Sequence, residues 1–162
     1  MGTYASQTDV SSDRSRAEIE RTLQRYGARS FMYGWDEGRA VLGFVASDRQ
    51  VRFVLPLPDR DDKVFTQTPA RGTRRTPAAA AEAYEQAVRQ RWRALALVIK
   101  AKLEAVEAGI VTFDEEFLAH LVLPSGETVA QAALPAVVHA YATGQTPPLL
   151  PSYGAQPRAI EP

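Results

Sequence analysis

Cations in the middle of the sequence have a spacing that suits binding of phosphate groups. Arg89 and Arg93 are four residues apart, and Lys100 follows seven residues after Arg93. On a helix these intervals place the three side chains on one face. Positive groups repeated along a face are suited to neutralise a run of phosphates. The chemistry that this pattern predicts is electrostatic binding of a polyanion.

Further cations lie before this face along the chain. Arg71, Arg74 and Arg75 form a cluster in a polar connection just before the predicted helix. A helix start offers free backbone N–H groups and a partial positive charge, which both favour phosphate. Arg52 lies in a predicted strand and should point away from the core. The predicted nucleic-acid-binding residues are therefore Arg52, Arg71, Arg74, Arg75, Arg89, Arg93 and Lys100.

The charge of the chain is balanced overall and segregated along its length. The 162 residues include 19 basic and 19 acidic side chains. Residues 51–103 carry eleven basic and five acidic side chains, a net charge of +6, whereas residues 104–162 carry one and seven, a net charge of −6. Such asymmetry indicates that the basic part contacts a polyanion. An acidic end that folds back and neutralises the basic middle explains the pattern equally well.

No group of residues has the spacing of a catalytic or metal site. The chain has no cysteine, which excludes disulfides, thiolate zinc sites and cysteine nucleophiles. His120 and His139 lack neighbours at metal-ligand spacing. Asp59, Asp61 and Asp62 cluster without the alternation or the glycine of a calcium loop, so we expect a solvated loop there. We predict that the protein is not an enzyme and needs no cofactor.

The N-terminal part of the chain predicts one helix. Residues 1–11 contain few apolar side chains and are predicted as a disordered leader. Ser15 and Glu18 have the spacing of a capping box, so the helix is expected to begin between Ser12 and Ser15. Gly27 is placed to end it in a left-handed conformation.

The next residues predict a small sheet. Apolar residues alternate with period two over residues 31–35 and 51–55, and residues 41–46 form an apolar run between them. The short polar connections favour an antiparallel meander. The sheet carries three aromatic residues in its first strand, for which we weigh a place in the core against an exposed face that stacks on bases: Phe31, Tyr33 and Trp35.

A long helix follows. Thr76 and Pro77 are suited to the cap and the first turn, and every residue from there to Ala108 is compatible with a helix. Gly109 is the expected stop, so the helix spans about 48 Å at about 1.5 Å per residue. The length of this helix also suggests that two copies of the protein associate through it. The predicted buried stripe is Tyr84, Val88, Trp92, Leu95, Ile99, Leu103 and Val106.

The last third of the chain predicts smaller helices and a tail. Thr112 and Glu115 have capping-box spacing, and the acidic first turn that follows suits the helix dipole. Residues 128–141 predict another helix, which Pro135 should kink or split before Gly144 ends it. Residues 145–162 are rich in proline and are predicted as an extended tail.

Together these elements predict an α+β fold, in which a three-stranded antiparallel meander packs on one long helix beside a small C-terminal helical subdomain. We expect one domain over residues 12–144. No apolar run approaches the roughly 18 residues needed to span a bilayer, so we expect no membrane association. The N-terminus lacks the pattern of a signal peptide. We therefore expect a cytoplasmic protein.

Three stretches, residues 14–23, 51–58 and 89–109, resemble a family of uncharacterised small proteins from phages and integrated elements. The resemblance covers roughly residues 12–144. It implies the cytoplasm of a bacterial host as the setting and brings no known catalytic residues. Separately, the order of helix, meander and long helix is similar to the core of phage single-strand annealing proteins of the RecT and Red-beta kind.

These observations lead to two functional hypotheses. The first is a non-enzymatic phage protein that binds nucleic acid, with single-stranded DNA favoured, during recombination or replication. The alternative is a protein-interaction module, a phage factor that binds a host or phage protein. Both are compatible with a homo-oligomer.

Overall fold

The structure is a computed structural model that describes residues 3–36 and 38–150, with side chains from Asp13 onward. It confirms the predicted α+β class, the three-stranded antiparallel sheet and the long helix. In chain order the elements are α1 (Thr3–Arg25), β1 (Ser30–Asp36), β2 (Arg39–Ala46), β3 (Arg49–Pro56), α2 (Lys63–Thr66), α3 (Pro77–Glu107), α4 (Phe113–Phe117), a 3₁₀ turn (Leu118–His120) and α5 (Val129–Thr143).

The sheet is a meander in the order β1-β2-β3. Leu42 in the central strand pairs with Tyr33 on one side and with Phe53 on the other. The turn between β2 and β3 consists of Ser47 and Asp48, with φ of 50° and 58°. Two consecutive left-handed residues match the twist of the flanking strands and hold them in a tight hairpin.

Local signals set both ends of α3. The hydroxyl of Thr76 accepts a hydrogen bond of 3.2 Å from the backbone N–H of Ala79, and Pro77 occupies the first turn. Gly109 follows the helix with φ of 71°. The predicted stripe is buried except for Val106, which is half-buried. The rings of Trp92 and Tyr33 lie 5.4 Å apart, so this stripe packs on the sheet.

Helix α1 packs beside α3 and completes the helical layer. Ile19 and Leu23 are both buried in the core. The helix begins at Thr3, so the predicted start between Ser12 and Ser15 is wrong, and residues 3–11 of the predicted leader are helical. The physical reason is that no proline or glycine interrupts residues 3–26, so Ser15 lies inside the helix and does not cap it.

The two faces of the sheet have different environments. The core face carries Leu42, Phe44, Val51 and Phe53, all buried with residues of α1 and α3. We call the opposite surface the outer face. It carries Met32, whose side chain is exposed. A sheet with helices on one side leaves its other side open to solvent or to a partner.

The C-terminal helices attach at the free edge of β3. Thr112 and Glu115 form the predicted capping box at the start of α4. After the 3₁₀ turn, Leu121 bridges to Val51, and the backbone N–H of Val122 donates to the carbonyl of Gln50 at 2.8 Å. This short pairing extends the edge of the sheet and sets the position from which the chain continues into α5.

Helix α5 runs unbroken through Pro135 and ends at Gly144, which has φ of 70°. None of its residues is buried, and its main packing partner is the 3₁₀ turn. Residues 145–150 form neither helix nor strand, whereas the rest of the predicted tail lies outside the described residues. Among the described helices, none has both the length and the apolar composition that crossing a bilayer requires.

Candidate functional site

A groove lies between α1 and α3 in the described part of the chain. It has a volume of about 540 Å³. We call it the α1–α3 groove. Its lining residues are Arg14, Ser15 and Glu18 from α1, and Gln86, Arg89, Gln90, Arg93 and Leu97 from α3.

The helical repeat explains how α3 contributes to this groove. Arg89 and Arg93 are one turn apart, about 6 Å along the axis. Trp92 belongs to the buried stripe on the sheet. Arg93 is about 100° further around the helix and therefore reaches the rim of the helical layer. The groove thus runs parallel to the buried stripe, on the side where α1 lies against α3.

The groove collects more positive than negative charge. Three guanidinium groups, those of Arg14, Arg89 and Arg93, face one carboxylate, that of Glu18. Within the described residues, none of these three arginines forms a salt bridge. Unpaired guanidinium groups present planar sets of N–H donors to solvent, which match carboxylate or phosphate oxygens.

The predicted cation Lys100 lies further along α3 and does not line the groove. Its ammonium group is 3.9 Å from the carboxylate of Glu104, and both side chains are exposed. Because an exposed pair at this distance is weak, Lys100 is still able to contact a ligand that extends beyond the groove.

The loop before α3 carries the predicted cluster of Arg71, Arg74 and Arg75. Arg75 is half-buried and its Nε donates to the carbonyl of Gln67 at 3.1 Å, while Arg71 and Arg74 are exposed. Arg75 precedes α3, and Arg89 lies twelve residues after Pro77, which corresponds to about 18 Å along the helix axis. The structure therefore does not bring this loop into the groove lining.

Arg52 lies on the opposite side of the sheet from the groove. Its side chain occupies the outer face, as strand alternation predicts. Its guanidinium donates to the carbonyl of Gly126 at 2.6 Å and to Oε1 of Gln131 at 3.1 Å. The structure therefore does not bring Arg52 together with the helical cations, because the sheet lies between them, and its role in binding stays a prediction. Arg52 instead anchors the start of α5.

The acidic C-terminal third pairs only in part with the basic middle. Lys102 contacts Glu116, with 2.8 Å between Nζ and Oε1. Arg49, which precedes the basic middle, contacts Asp114 at 3.0 Å. Neither pair involves the groove. Among the described residues, pairing of the acidic end with the basic middle thus lies at the far end of α3, away from the groove cations.

The predicted aromatic residues of β1 divide between two environments. Phe31 and Tyr33 are half-buried against the core, and Arg16 lies over the ring of Tyr33 at 4.3 Å. Trp35 lies on the same face of the strand but is 66% exposed. The core prediction is confirmed for the first two residues, and Trp35 is left as an exposed ring.

Three other side chains that we considered for chemistry, those of Asp59, Asp62 and His120, make local structural contacts. Asp62 caps α2 by accepting from the N–H of Val64, and Asp59 accepts from the N–H of Asp61. Within the described ranges, no three His, Asp or Glu side chains cluster as a metal site requires. His120 stacks on a core ring.

Sequence reasoning missed the contribution of α1 to the groove. Arg14 was not among the predicted site residues, and neither were Gln86 and Gln90. The two glutamines follow the same intervals as Arg89 and Arg93, so a search for a polar stripe beside the buried stripe would have found them. Arg14 has no comparable local signal, because its role depends on which helix packs against α3.

Comparison of the chain with models of known protein families, with curated proteins and with solved structures gave no match. The function must therefore be argued from the chemistry of the α1–α3 groove itself.

Proposed function

We propose that this protein is a non-enzymatic nucleic-acid-binding protein that holds the phosphate backbone of a single strand in the α1–α3 groove. The observation that supports the proposal is the convergence of Arg14, Arg89 and Arg93 on one groove without a salt-bridge partner among the described residues. The proposed setting is the cytoplasm of a bacterium that carries a phage or an integrated element, with recombination or replication as the process.

The groove favours a phosphate backbone over a small anion. Its lining extends along α3 from Gln86 to Leu97, about 16 Å, and Arg89 and Arg93 repeat along it about 6 Å apart. Successive phosphates of an extended strand can each meet one guanidinium at such a repeat. Charge-assisted, bidentate contacts of this kind are stronger than neutral hydrogen bonds.

The width of the groove favours one strand over two. Packed helices have axes about 8–10 Å apart, so the depression between them admits one extended chain. A duplex can touch only the rim. Ser15, Gln86 and Gln90 also line the groove and offer both donors and acceptors, which suits contacts with different bases.

The test is a titration of fluorescently labelled single-stranded DNA with the full chain across salt concentrations, with duplex DNA as competitor. We expect the variants Arg14→Gln, Arg89→Gln and Arg93→Gln each to weaken single-strand binding about three- to tenfold. Each should also reduce the slope of log affinity against log salt by about 0.7, because one fewer counterion contact is released.

Arg91→Gln is the matched control. Arg91 lies on the same helix and its loss changes the net charge equally, but it faces about 200° away from Arg93 and donates to the carbonyl of Pro56. We expect it to leave affinity almost unchanged. Equal weakening by Arg91→Gln and Arg93→Gln would show that overall charge, not the groove, determines binding. Absence of binding at about 50 mM salt, or binding insensitive to salt, would falsify the proposal.

A second candidate function is a module that binds a host or phage protein. The observation that favours it is helix α5, which is apolar and has no buried residue. Pull-down from cells with and without nuclease separates the two candidates. Partners lost on nuclease treatment support nucleic-acid binding, whereas partners that remain support the interaction module.

A further inference from the structure

Helix α5 carries an exposed apolar stripe. Leu134, Val138 and Tyr141 follow one another at four and three residues, so they share one helix face, and they are 55%, 65% and 90% exposed. From residue 122 to residue 150 the sequence has a single charged side chain, Glu127. A helix face of this composition is normally buried against another element.

The outer face of the sheet is a second uncovered apolar surface. Met32 and Val54 are 63% and 42% exposed, and Val41 and Val45 are half-buried beside them. Its charged side chains border this apolar patch: Arg52 is held by hydrogen bonds at the start of α5, and Asp36 and Arg39 pair with each other where β1 turns into β2.

The two surfaces match in size. Helix α5 has 15 residues and is about 22 Å long, while strand β2 has 8 residues and spans about 26 Å. Three strands are about 10 Å wide, which is close to the diameter of one helix with its side chains. One helix of the length of α5 therefore covers the outer face, as α3 covers the core face.

The base of α5 is fixed, which prevents the helix from covering its own sheet in this arrangement. Thr128 and Gln131 form a capping box at its first turn, and the N–H of Val129 donates to the carbonyl of Leu121 at 2.9 Å. Arg52 holds Gln131 from the sheet. The helix packs on the 3₁₀ turn at the edge of β3, and its exposed stripe faces away from that contact.

From this arrangement we infer that α5 of one copy packs across the outer face of a second copy. The exchange is reciprocal, so it forms a closed dimer with twofold symmetry and buries both apolar surfaces of each chain. The occupant is a second copy because this chain itself supplies an exposed apolar helix stripe and an exposed apolar patch on a sheet face of similar dimensions. The interface is independent of the α1–α3 groove, which lies on the other side of the sheet.

The first test is the mass of the full chain in solution by light scattering over a series of protein concentrations. We expect a mass approaching twice 17.8 kDa. Val138→Glu and Met32→Glu should each return the mass to that of one chain, because either change buries an unpaired carboxylate. Circular dichroism verifies that each variant is folded.

Ile110→Glu is the matched control, since Ile110 is equally exposed but lies on neither surface. It should leave the dimer intact. A wild-type chain that stays monomeric at every concentration contradicts the inference, and so does a dimer that survives both Val138→Glu and Met32→Glu.

The second test uses the absence of cysteine from the chain. A mixture of the Met32→Cys and Tyr141→Cys variants is oxidised and analysed without reductant. We expect a disulfide-linked product containing one chain of each variant, and none when Ile110→Cys replaces Tyr141→Cys. A disulfide that forms only within a chain carrying both substitutions would mean that α5 folds back on its own sheet, which overturns the inference.

Discussion

The ring of His120 stacks on the ring of Phe53, with 4.0 Å between their centroids and 25° between their planes. Burial of His120 lowers the pKa of its imidazole, and the positive charge of Lys102 lowers this pKa further. A hydrogen bond to the backbone of Arg52 opposes both effects. The net shift lowers the pKa of His120, so the folded protein favours the neutral imidazole at the junction of the sheet and the 3₁₀ turn.

This pKa shift makes stability depend on pH. As the pH falls below about 6.5, the unfolded chain binds a proton at His120 before the folded chain does, so the free energy of unfolding decreases. Urea denaturation at a series of pH values should show this decrease. His120→Gln should remove its contribution, whereas His139→Gln, at an exposed position on α5, should retain it. The same pH slope in wild type and His120→Gln would contradict the prediction.

Phe117 is the second expected contributor to stability. Its side chain is fully buried, and its ring centroid lies 5.9 Å from that of Phe44 and 4.6 Å from that of Phe113. We expect Phe117→Ala to lower the free energy of unfolding by about 3–5 kcal/mol, because it leaves a cavity between the sheet and α4. Chemical denaturation measures the change. The neighbouring Leu118 is exposed, so Leu118→Ala should cost less than about 0.5 kcal/mol, and similar losses for both would argue against this packing.

The third prediction concerns the contact between Lys102 and Glu116. Nζ lies 2.8 Å from Oε1 and 3.0 Å from the backbone carbonyl of Glu116, and the two side chains are only 23% and 26% exposed. A double-mutant cycle with Lys102→Met and Glu116→Gln should give a coupling energy of about 1 kcal/mol. The exposed pair of Lys100 and Glu104 should give less, about 0.3–0.5 kcal/mol. Equal coupling in the two pairs would show that burial does not strengthen the first.

Local sequence features were sufficient to predict much of the fold. Thr76, Pro77 and Gly109 mark the ends of α3 because caps and stops act through backbone conformation and hydrogen bonds within one turn. The stripe through Trp92 predicts the buried face because helical spacing depends on the chain alone. The start of α1 was not predictable in this way. Ser15 and Glu18 have the pattern of a cap, but a cap forms only where the preceding residues leave the helix.

The candidate site likewise has some features that the sequence pattern predicts and others that depend on tertiary structure. The spacing of Arg89 and Arg93 along one helix determined that they share a face, and alternation in β3 determined that Arg52 points away from the core. Only the tertiary structure shows that α1 packs beside α3 and brings Arg14 to the groove. Only the tertiary structure shows that the sheet lies between Arg52 and the cations of α3. The physical reason is that periodicity relates residues within one element, whereas the choice of neighbouring element depends on how all apolar faces are buried together.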